Sequence, residues 1–533
     1  MSIVSIDGRR LTLDEVEAVA RGSMRVELDG DPRVRERLER SARFKDELVE
    51  QGVPIYGVTT GVGDSVGVQI AHSRAAALQR NLMRKLGCGT GSTLSEDYAR
   101  AVLLLRANTL ARGQSAVRPV IVETLLACLN AGIAPCIPEE GSVGASGDLV
   151  PLSYALAMLC GERNALVRGE VVPAARALAA AGIEPVQLRA KEGLAVLNGT
   201  AYMTGVLALV VQGARRLALL ADACTALATE ALASTSGPFH AFLHDDAKPH
   251  PGQARSAATV RSLLADSKLA QPYRAVLEQA GSHTGGGVRR LPVKIQERYS
   301  IRCAPHFVGV LYDALDWIER WLAVEMNSAS DNPLFDADER EVHNGGNFAG
   351  GHVAFAADAL KTALASVADL LDRQLAVVVD EKYSHGLPAN LAPALPPDDP
   401  EAGTHHGFKG VQLAVSSLTA EALGRCAPMT AFSRSTEAHN QDKVSMGATA
   451  ARGARDVLAL SEKVAVMHLL ALCQAVDLRD ANKLGATRGI YDVVRGVSRK
   501  VDRDRELDED IGRVLAALRS GELTRALPGG PGR

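Results

Sequence analysis

Long stretches of this chain are almost wholly apolar, and the few polar positions inside them recur at helical spacing. Gly351 to Asp380 shows the pattern best. Its charges before the final residue are Asp358, Lys361, Asp369, Asp372 and Arg373. At about 3.6 residues per turn they share roughly a third of the circumference. Ala, Val and Leu fill most of the rest, so this helix is expected to pack on most sides. Ala201–Ala233 and Val457–Ala475 read the same way. Strand-type alternation is scarce. The pattern predicts a mainly α protein built around a long central helical bundle.

Four glycine-rich stretches interrupt the helices: Tyr56–Gly67, Gly141–Gly147, His283–Gly287 and Asn344–Gly351. Their polar content suggests loops gathered around a site. The length allows two or three domains. An N-terminal domain is expected over 1–200 and the long-helix bundle over 201–500. A charged C-terminal segment follows over 501–533, ending in a tail, Pro528–Arg533, that is expected to fray. Gly193–Ala214 is long and free of charge. The polar turn Asn198-Gly199-Thr200 inside it argues against a membrane span. It reads as a buried loop followed by a core helix.

Composition removes some functions. A net charge of -3 gives no electrostatic case for nucleic acid. The 8 cysteines are scattered without a Cys-x-x-Cys pair. They read as free thiols of a reducing, cytoplasmic compartment, not as a disulfide frame or zinc site. The first ten residues lack an apolar signal core. His240, His244 and His250 with Asp245 and Asp246 fit no standard metal spacing, and Pro249 and Pro251 suggest an exposed loop there, so no metal is expected.

The candidate chemistry centres on Gly141-Ser142-Val143-Gly144-Ala145-Ser146-Gly147-Asp148-Leu149. A short Ala-Ser-Gly string alone is weak, since loops favour Gly and Ser. Other motifs accompany it. Tyr56-Gly57-Val58-Thr59-Thr60-Gly61-Val62-Gly63 precedes it, and Gly193-Leu194-Ala195-Val196-Leu197-Asn198-Gly199-Thr200 follows. Gln296-Glu297-Arg298-Tyr299-Ser300-Ile301-Arg302 comes next. Then come Asp331-Asn332-Pro333, His343-Asn344-Gly345-Gly346-Asn347-Phe348 and Glu437-Ala438-His439-Asn440-Gln441-Asp442. Taken singly, these are a loop anchor, turns, a solvated helix face, a core Phe and a polar loop.

Together, in this order, they resemble the ammonia-lyases and aminomutases that depend on 4-methylidene-imidazol-5-one (MIO), over roughly Leu11 to Lys483. The resemblance implies that Ala145, Ser146 and Gly147 cyclise into the MIO electrophile. Gly147 offers an unhindered backbone nitrogen to the Ala145 carbonyl, and Ser146 loses its hydroxyl to leave a methylidene. It implies Tyr56 as the base for the β-proton, which calls for a lowered phenol pKa and so for an Arg or positive helix ends nearby. Gly63 lies in the same loop and counts with the substrate-binding residues. Asn198 is implied at the cofactor or carboxylate, and Gln296 belongs to the same carried-over set. Arg302 is implied as a bidentate carboxylate clamp, and Tyr299 near the leaving amine. Spacing of three puts Tyr299 and Arg302 on one helix face. Asn332 is implied near the carboxylate, Phe348 against the MIO, Glu437 near the amine, and Gln441 at the MIO ring.

One position departs from the family. The side-chain selectivity pair maps to Lys85-Leu86, where His-Leu, Phe-Leu and Ser-His accompany tyrosine, phenylalanine and histidine. Leu86 argues against histidine. An unpaired ammonium beside an apolar ring is costly, but Lys85 can meet a para-hydroxyl or an acidic group, or else point to solvent. This favours tyrosine over phenylalanine and leaves an unusual or acidic substrate open.

The resemblance therefore implies an ammonia-lyase giving an α,β-unsaturated acid, with a 2,3-aminomutase as the alternative. It also implies a homotetramer whose chains share active sites. Other readings fit less well. Gly144-Ala145-Ser146-Gly147-Asp148 misses the hydrolase spacing Gly-x-Ser-x-Gly, and no glycine loop ends in Gly-Lys-[Ser/Thr]. An inert homologue is disfavoured because the triad, Tyr56, Tyr299 and Arg302 are all present.

Overall fold

A computed structural model describes residues 2–528. Helices dominate, and the longest are Ala201–Ala231, Ala304–Met326, Gly351–Val379 and Gly447–Arg479. The expected helix over Val457–Ala475 is the middle of the last of these. Its neighbours extend it because Ala and other good helix formers continue on both sides. Lys361, Asp358 and Asp372 are buried along with the apolar positions of Gly351–Val379, so part of the predicted polar stripe is also covered. Asp358 accepts a hydrogen bond from the Thr430 backbone at 2.8 Å.

By its contacts the chain forms two units. One holds 1–212, 317–359 and 427–455; the other holds 213–316, 360–426 and 456–533. A boundary drawn in chain order near residue 200 does not coincide with this division, because each of the four long helices contributes residues to both units.

All strands among the described residues belong to the first unit. Ile3–Ile6 pairs in parallel with Arg25–Leu28, and Thr90–Thr93 pairs antiparallel with Pro138–Glu140. A three-stranded antiparallel sheet has Asn164–Val167 between Ile133–Pro135 and Glu170–Pro173, and Leu334–Asp336 pairs with Glu341–His343. Helix starts follow local chemistry. Thr12 and Glu15 form a capping box, and Asp31 caps a helix opening on Pro32.

In the second unit, the charged C-terminal segment carries helices at Asp508–Arg519 and Glu522–Arg525. Asp510 is buried there and accepts from Arg505 and Ser498. The predicted frayed tail lies outside the described residues apart from Pro528. His244 spends both ring nitrogens on Pro238 and Gln253, at 2.8 and 3.0 Å.

Gly193–Ala214 differs from expectation in its first part. Glu192–Leu197 is a buried short helix, and the turn Asn198-Gly199-Thr200 then leads into Ala201–Ala231. That long helix is apolar enough to cross a membrane, with mean hydropathy 1.4 over its most apolar window, yet 83% of the window is buried inside the protein. It is a core helix. All 8 cysteines are free thiols.

Candidate active site

In the first unit the Ala145-Ser146-Gly147 turn is held from two sides. Downstream, the Asp148 carboxylate accepts the Tyr202 and Met203 N–H groups at 2.6 and 3.3 Å, capping the start of Ala201–Ala231. The Asp148 backbone N–H donates to the Gly199 carbonyl at 2.8 Å. Burial pushes the Asp148 carboxyl up to about 8, against the pull of those N–H donors and of Arg106. Upstream, the Ser445 hydroxyl donates to the Gly144 carbonyl at 2.9 Å, and the Met446 N–H donates to Val143 at 3.0 Å. Arg455 grips the Glu139 carboxylate through two nitrogens, at 2.5 and 2.9 Å.

Two glycines make this close packing possible. Gly147 has φ +67°, and a Cβ there would lie 2.1 Å from the Gly199 carbonyl oxygen. A Cβ on Gly199 would lie 2.0 Å from Arg106 Nη1. Only a residue without a side chain fits either position.

A cavity of about 790 Å³ opens beside the triad. Of the residues singled out in the sequence, Tyr56, Gly63, Lys85, Leu86, Ala145, Ser146, Asn198, Asn332, Phe348, Glu437 and Gln441 line it. Gly147 is not among the lining residues and pairs with Gly199 in a β-bridge. Of the four glycine-rich stretches, Tyr56–Gly67, Gly141–Gly147 and Asn344–Gly351 contribute to it. His283–Gly287 lies in the second unit.

Within the cavity, Gly63 N–H donates to the Tyr56 hydroxyl at 2.9 Å. Gln441 Nε2 donates to Ser146 Oγ at 3.3 Å. Asn198 Nδ2 donates to the Asn332 carbonyl at 3.0 Å, while Asn198 Oδ1 is buried with no hydrogen-bond partner among the described residues. Asn332 Oδ1 accepts the Gly345 N–H at 2.8 Å. Glu437 packs so closely on Gly63 that a Cβ there would meet its carboxylate at 1.9 Å. Glu437, Ala438 and His439 all have positive φ, a costly backbone that presents Glu437 to the cavity. Lys85 is exposed to the cavity and has no hydrogen bond or ion pair among the described residues.

Tyr56 was expected beside an Arg or a positive helix end that lowers its pKa. Burial instead raises it, and Glu437 adds to the rise; the Gly63 N–H opposes both. No Arg is among the cavity's lining residues. Gln296, Tyr299 and Arg302 belong to the second unit and do not line the cavity. Tyr299 and Arg302 do share one face of a helical turn, with the guanidinium 4.5 Å from the ring centre, and Tyr299 is 71% exposed.

Sequence reading missed several residues. Lys443 and Asp442 also line the cavity, and Arg106, Lys191 and Asp331 lie buried behind it. Asp331 and Asp442 stood inside quoted motifs, so position was a usable signal for them. Nothing local marks Arg106 or Lys191, which sit in ordinary helix-forming or loop sequence.

An Ala-Ser-Gly turn thus stands beside a Tyr- and amide-lined cavity on a mainly helical scaffold. The chain belongs to the aromatic amino acid lyase family, whose model matches residues 11–496. It is 40% identical over 530 residues to an MIO-dependent tyrosine 2,3-aminomutase of Streptomyces globisporus, covering 98% of this chain and 96% of that one. It is 41% identical over 530 residues to a tyrosine ammonia-lyase of Cupriavidus metallidurans, covering 98% and 97%. A histidine ammonia-lyase of Gloeobacter violaceus is 40% identical over 531 residues, covering 99% and 98%. The crystal structure of the Streptomyces globisporus tyrosine aminomutase superposes with a TM-score of 0.93, at 40% identity and 98% coverage of both chains. The chain is therefore an enzyme of the ammonia-lyase and aminomutase kind.

Proposed function

We propose that this enzyme is an ammonia-lyase for an aromatic L-amino acid, tyrosine before phenylalanine, releasing ammonia and an α,β-unsaturated acid. The observation that carries this reading is the shared cavity of Tyr56, Lys85 and the Ala145-Ser146-Gly147 turn. The residues fit an MIO formed from that turn. Gly147 and Gly199 admit no side chain, Gln441 reaches Ser146, and the Asn198 oxygen has no hydrogen-bond partner among the described residues. The MIO would supply an electrophile that captures the substrate amine and makes it a better leaving group.

The chain's own residues do the rest. Tyr56 takes the β-proton, and Gly63 N–H fixes its oxygen. Glu437 lies beside Tyr56 and Gly63, where it receives the amine. Asn198 and Asn332 face the carboxylate end, and Phe348 closes the apolar wall. Lys85 donates to the ring hydroxyl, while Leu86 leaves no imidazole partner for histidine. Tyr56 needs a positive neighbour, and Lys85 and Lys443 are the cations that line its cavity. Arg302 clamps the substrate carboxylate from another copy of the chain, together with Tyr299 near the leaving amine and Gln296, in a homotetramer with shared sites. The scattered free thiols fit a cytoplasmic enzyme.

A second reading, a 2,3-aminomutase that returns ammonia to the β-carbon, is favoured by the likeness to the Streptomyces globisporus enzyme. The deciding experiment offers Tyr, Phe, His, Trp, Asp and Glu separately and identifies products by mass spectrometry. Coumarate with free ammonia from Tyr supports the lyase. A β-amino acid supports the mutase. Turnover of His alone would overturn both substrate assignments.

A further inference from the structure

Arg106 is the odd group in the wall behind the triad. Its helix, Glu96–Ala111, carries a second buried arginine for comparison. Arg100 gives Nε, Nη1 and Nη2 to the carbonyls of Ala20, Leu129 and Val19 at 2.8–2.9 Å, as a structural arginine should. Arg106 is fully buried, yet it gives only Nη2, to the Ala195 carbonyl at 2.5 Å. Asp331 and Asp148 act on its charge, but Nε and Nη1 have no hydrogen-bond partner among the described residues. Leaving a charged donor group partly unpaired in the interior is costly, and the chain keeps Gly199 where any Cβ would strike Nη1. Gly199 is also the residue on which Gly147 and Asp148 rest. The guanidinium thus lies one residue's thickness behind the backbone that must close into a ring.

We infer that Arg106 is the positioning charge for that ring closure, stabilising negative charge on the Ala145–Gly147 backbone as the Gly147 nitrogen attacks. This rests on MIO formation, as proposed above. In the closure, the Gly147 nitrogen bonds to the Ala145 carbonyl carbon and passes its proton to the carbonyl oxygen. That oxygen leaves as water with the Ser146 N–H proton, forming a carbon–nitrogen double bond. The Ser146 hydroxyl then leaves as a second water with the Ser146 Cα proton. No oxidant is needed. Electron density builds on the Ala145 carbonyl oxygen during the attack, and a fixed, dry, permanently charged group nearby favours it without reorganisation.

The test is the intact mass of freshly made protein, followed over time, for wild type, Arg106→Met, Arg106→Gln and Arg106→Lys. Circular dichroism and melting temperature are measured in parallel. Wild type should lack two waters, and Arg106→Lys should lose them at a rate near that of wild type. The Met and Gln variants should keep the fold while losing water about 100-fold more slowly. Equal rates in a folded Met or Gln variant would overturn the proposal. A folded Lys variant as slow as Met would also overturn it, since shape and not charge would then matter. Should the Met and Gln variants both unfold while Lys dehydrates normally, Arg106 would be structural and the proposal would fall. If wild type itself lacks no water, the proposed function fails at its own first step, a result distinct from any difference among variants.

Discussion

The Lys191 ammonium lies 2.7 Å from the Asp331 carboxylate, and neither side chain is exposed to solvent. The pair ties the loop before Glu192–Leu197 to the residue preceding Asn332, whose carbonyl and side chain order the cavity's amide cluster. Burial pulls the Lys191 pKa down, while Asp331 holds it up. Removing one partner strands a buried charge. Lys191→Met should cost about 3–5 kcal/mol in urea unfolding, and the double variant with Asp331→Leu should cost less than the single. A single-variant cost below about 1 kcal/mol would show that the pair is not dry.

Ser146→Ala removes the hydroxyl that leaves as the second water in the proposed ring closure. The variant should fold with an unchanged circular dichroism spectrum and show no turnover. Activity near that of wild type would remove the electrophile from the mechanism.

Tyr56→Phe keeps the ring and loses the proposed proton acceptor. We expect kcat to fall about 10²–10⁴-fold with little change in KM. A loss confined to KM would recast Tyr56 as a binding residue.

Lys85→Phe replaces a cavity-facing ammonium with an apolar ring. The ratio of kcat/KM for phenylalanine over tyrosine should rise about 10-fold or more, as expected when a buried hydroxyl loses its partner. An unchanged ratio would mean that Lys85 does not meet the substrate.

Buried titrating groups of the second unit give opposite pH dependences. Burial holds His468 down to about 3, so it is neutral in the fold and takes a proton on unfolding at any pH below its ordinary value. Its contribution is therefore lost as pH falls from about 6.5 towards 3, at about 1.4 kcal/mol per pH unit. Asp222 is pushed up to about 8 by burial, despite hydrogen bonds from Ser256 and Tyr312, so its contribution is lost as pH rises from about 4 to 8. The unfolding free-energy gap between wild type and His468→Gln should shrink from pH 6.5 to pH 5. A gap independent of pH would contradict a neutral His468.

What could be read along the chain was whatever short spacing encodes. Helical periodicity placed Ala201–Ala231 and Gly351–Val379 nearly to their ends, because a helix is a local structure and its apolar faces recur every three or four residues. Motif order marked Tyr56, Ala145, Ser146, Asn198, Asn332, Phe348 and Glu437, which one cavity then brings together. Burial and charge environment were not legible, because both depend on residues far apart in the chain. Tyr56 acquires Glu437 as its neighbour, and its pKa moves opposite to expectation. Lys191 meets Asp331 across 140 positions, and Arg106 comes to rest behind Gly199 with two nitrogens that have no hydrogen-bond partner among the described residues. The sequence by itself determined the helices and the residues able to do chemistry. The tertiary structure decided which of them share a dry space, since desolvation and Coulomb energy follow distance in space and not along the chain.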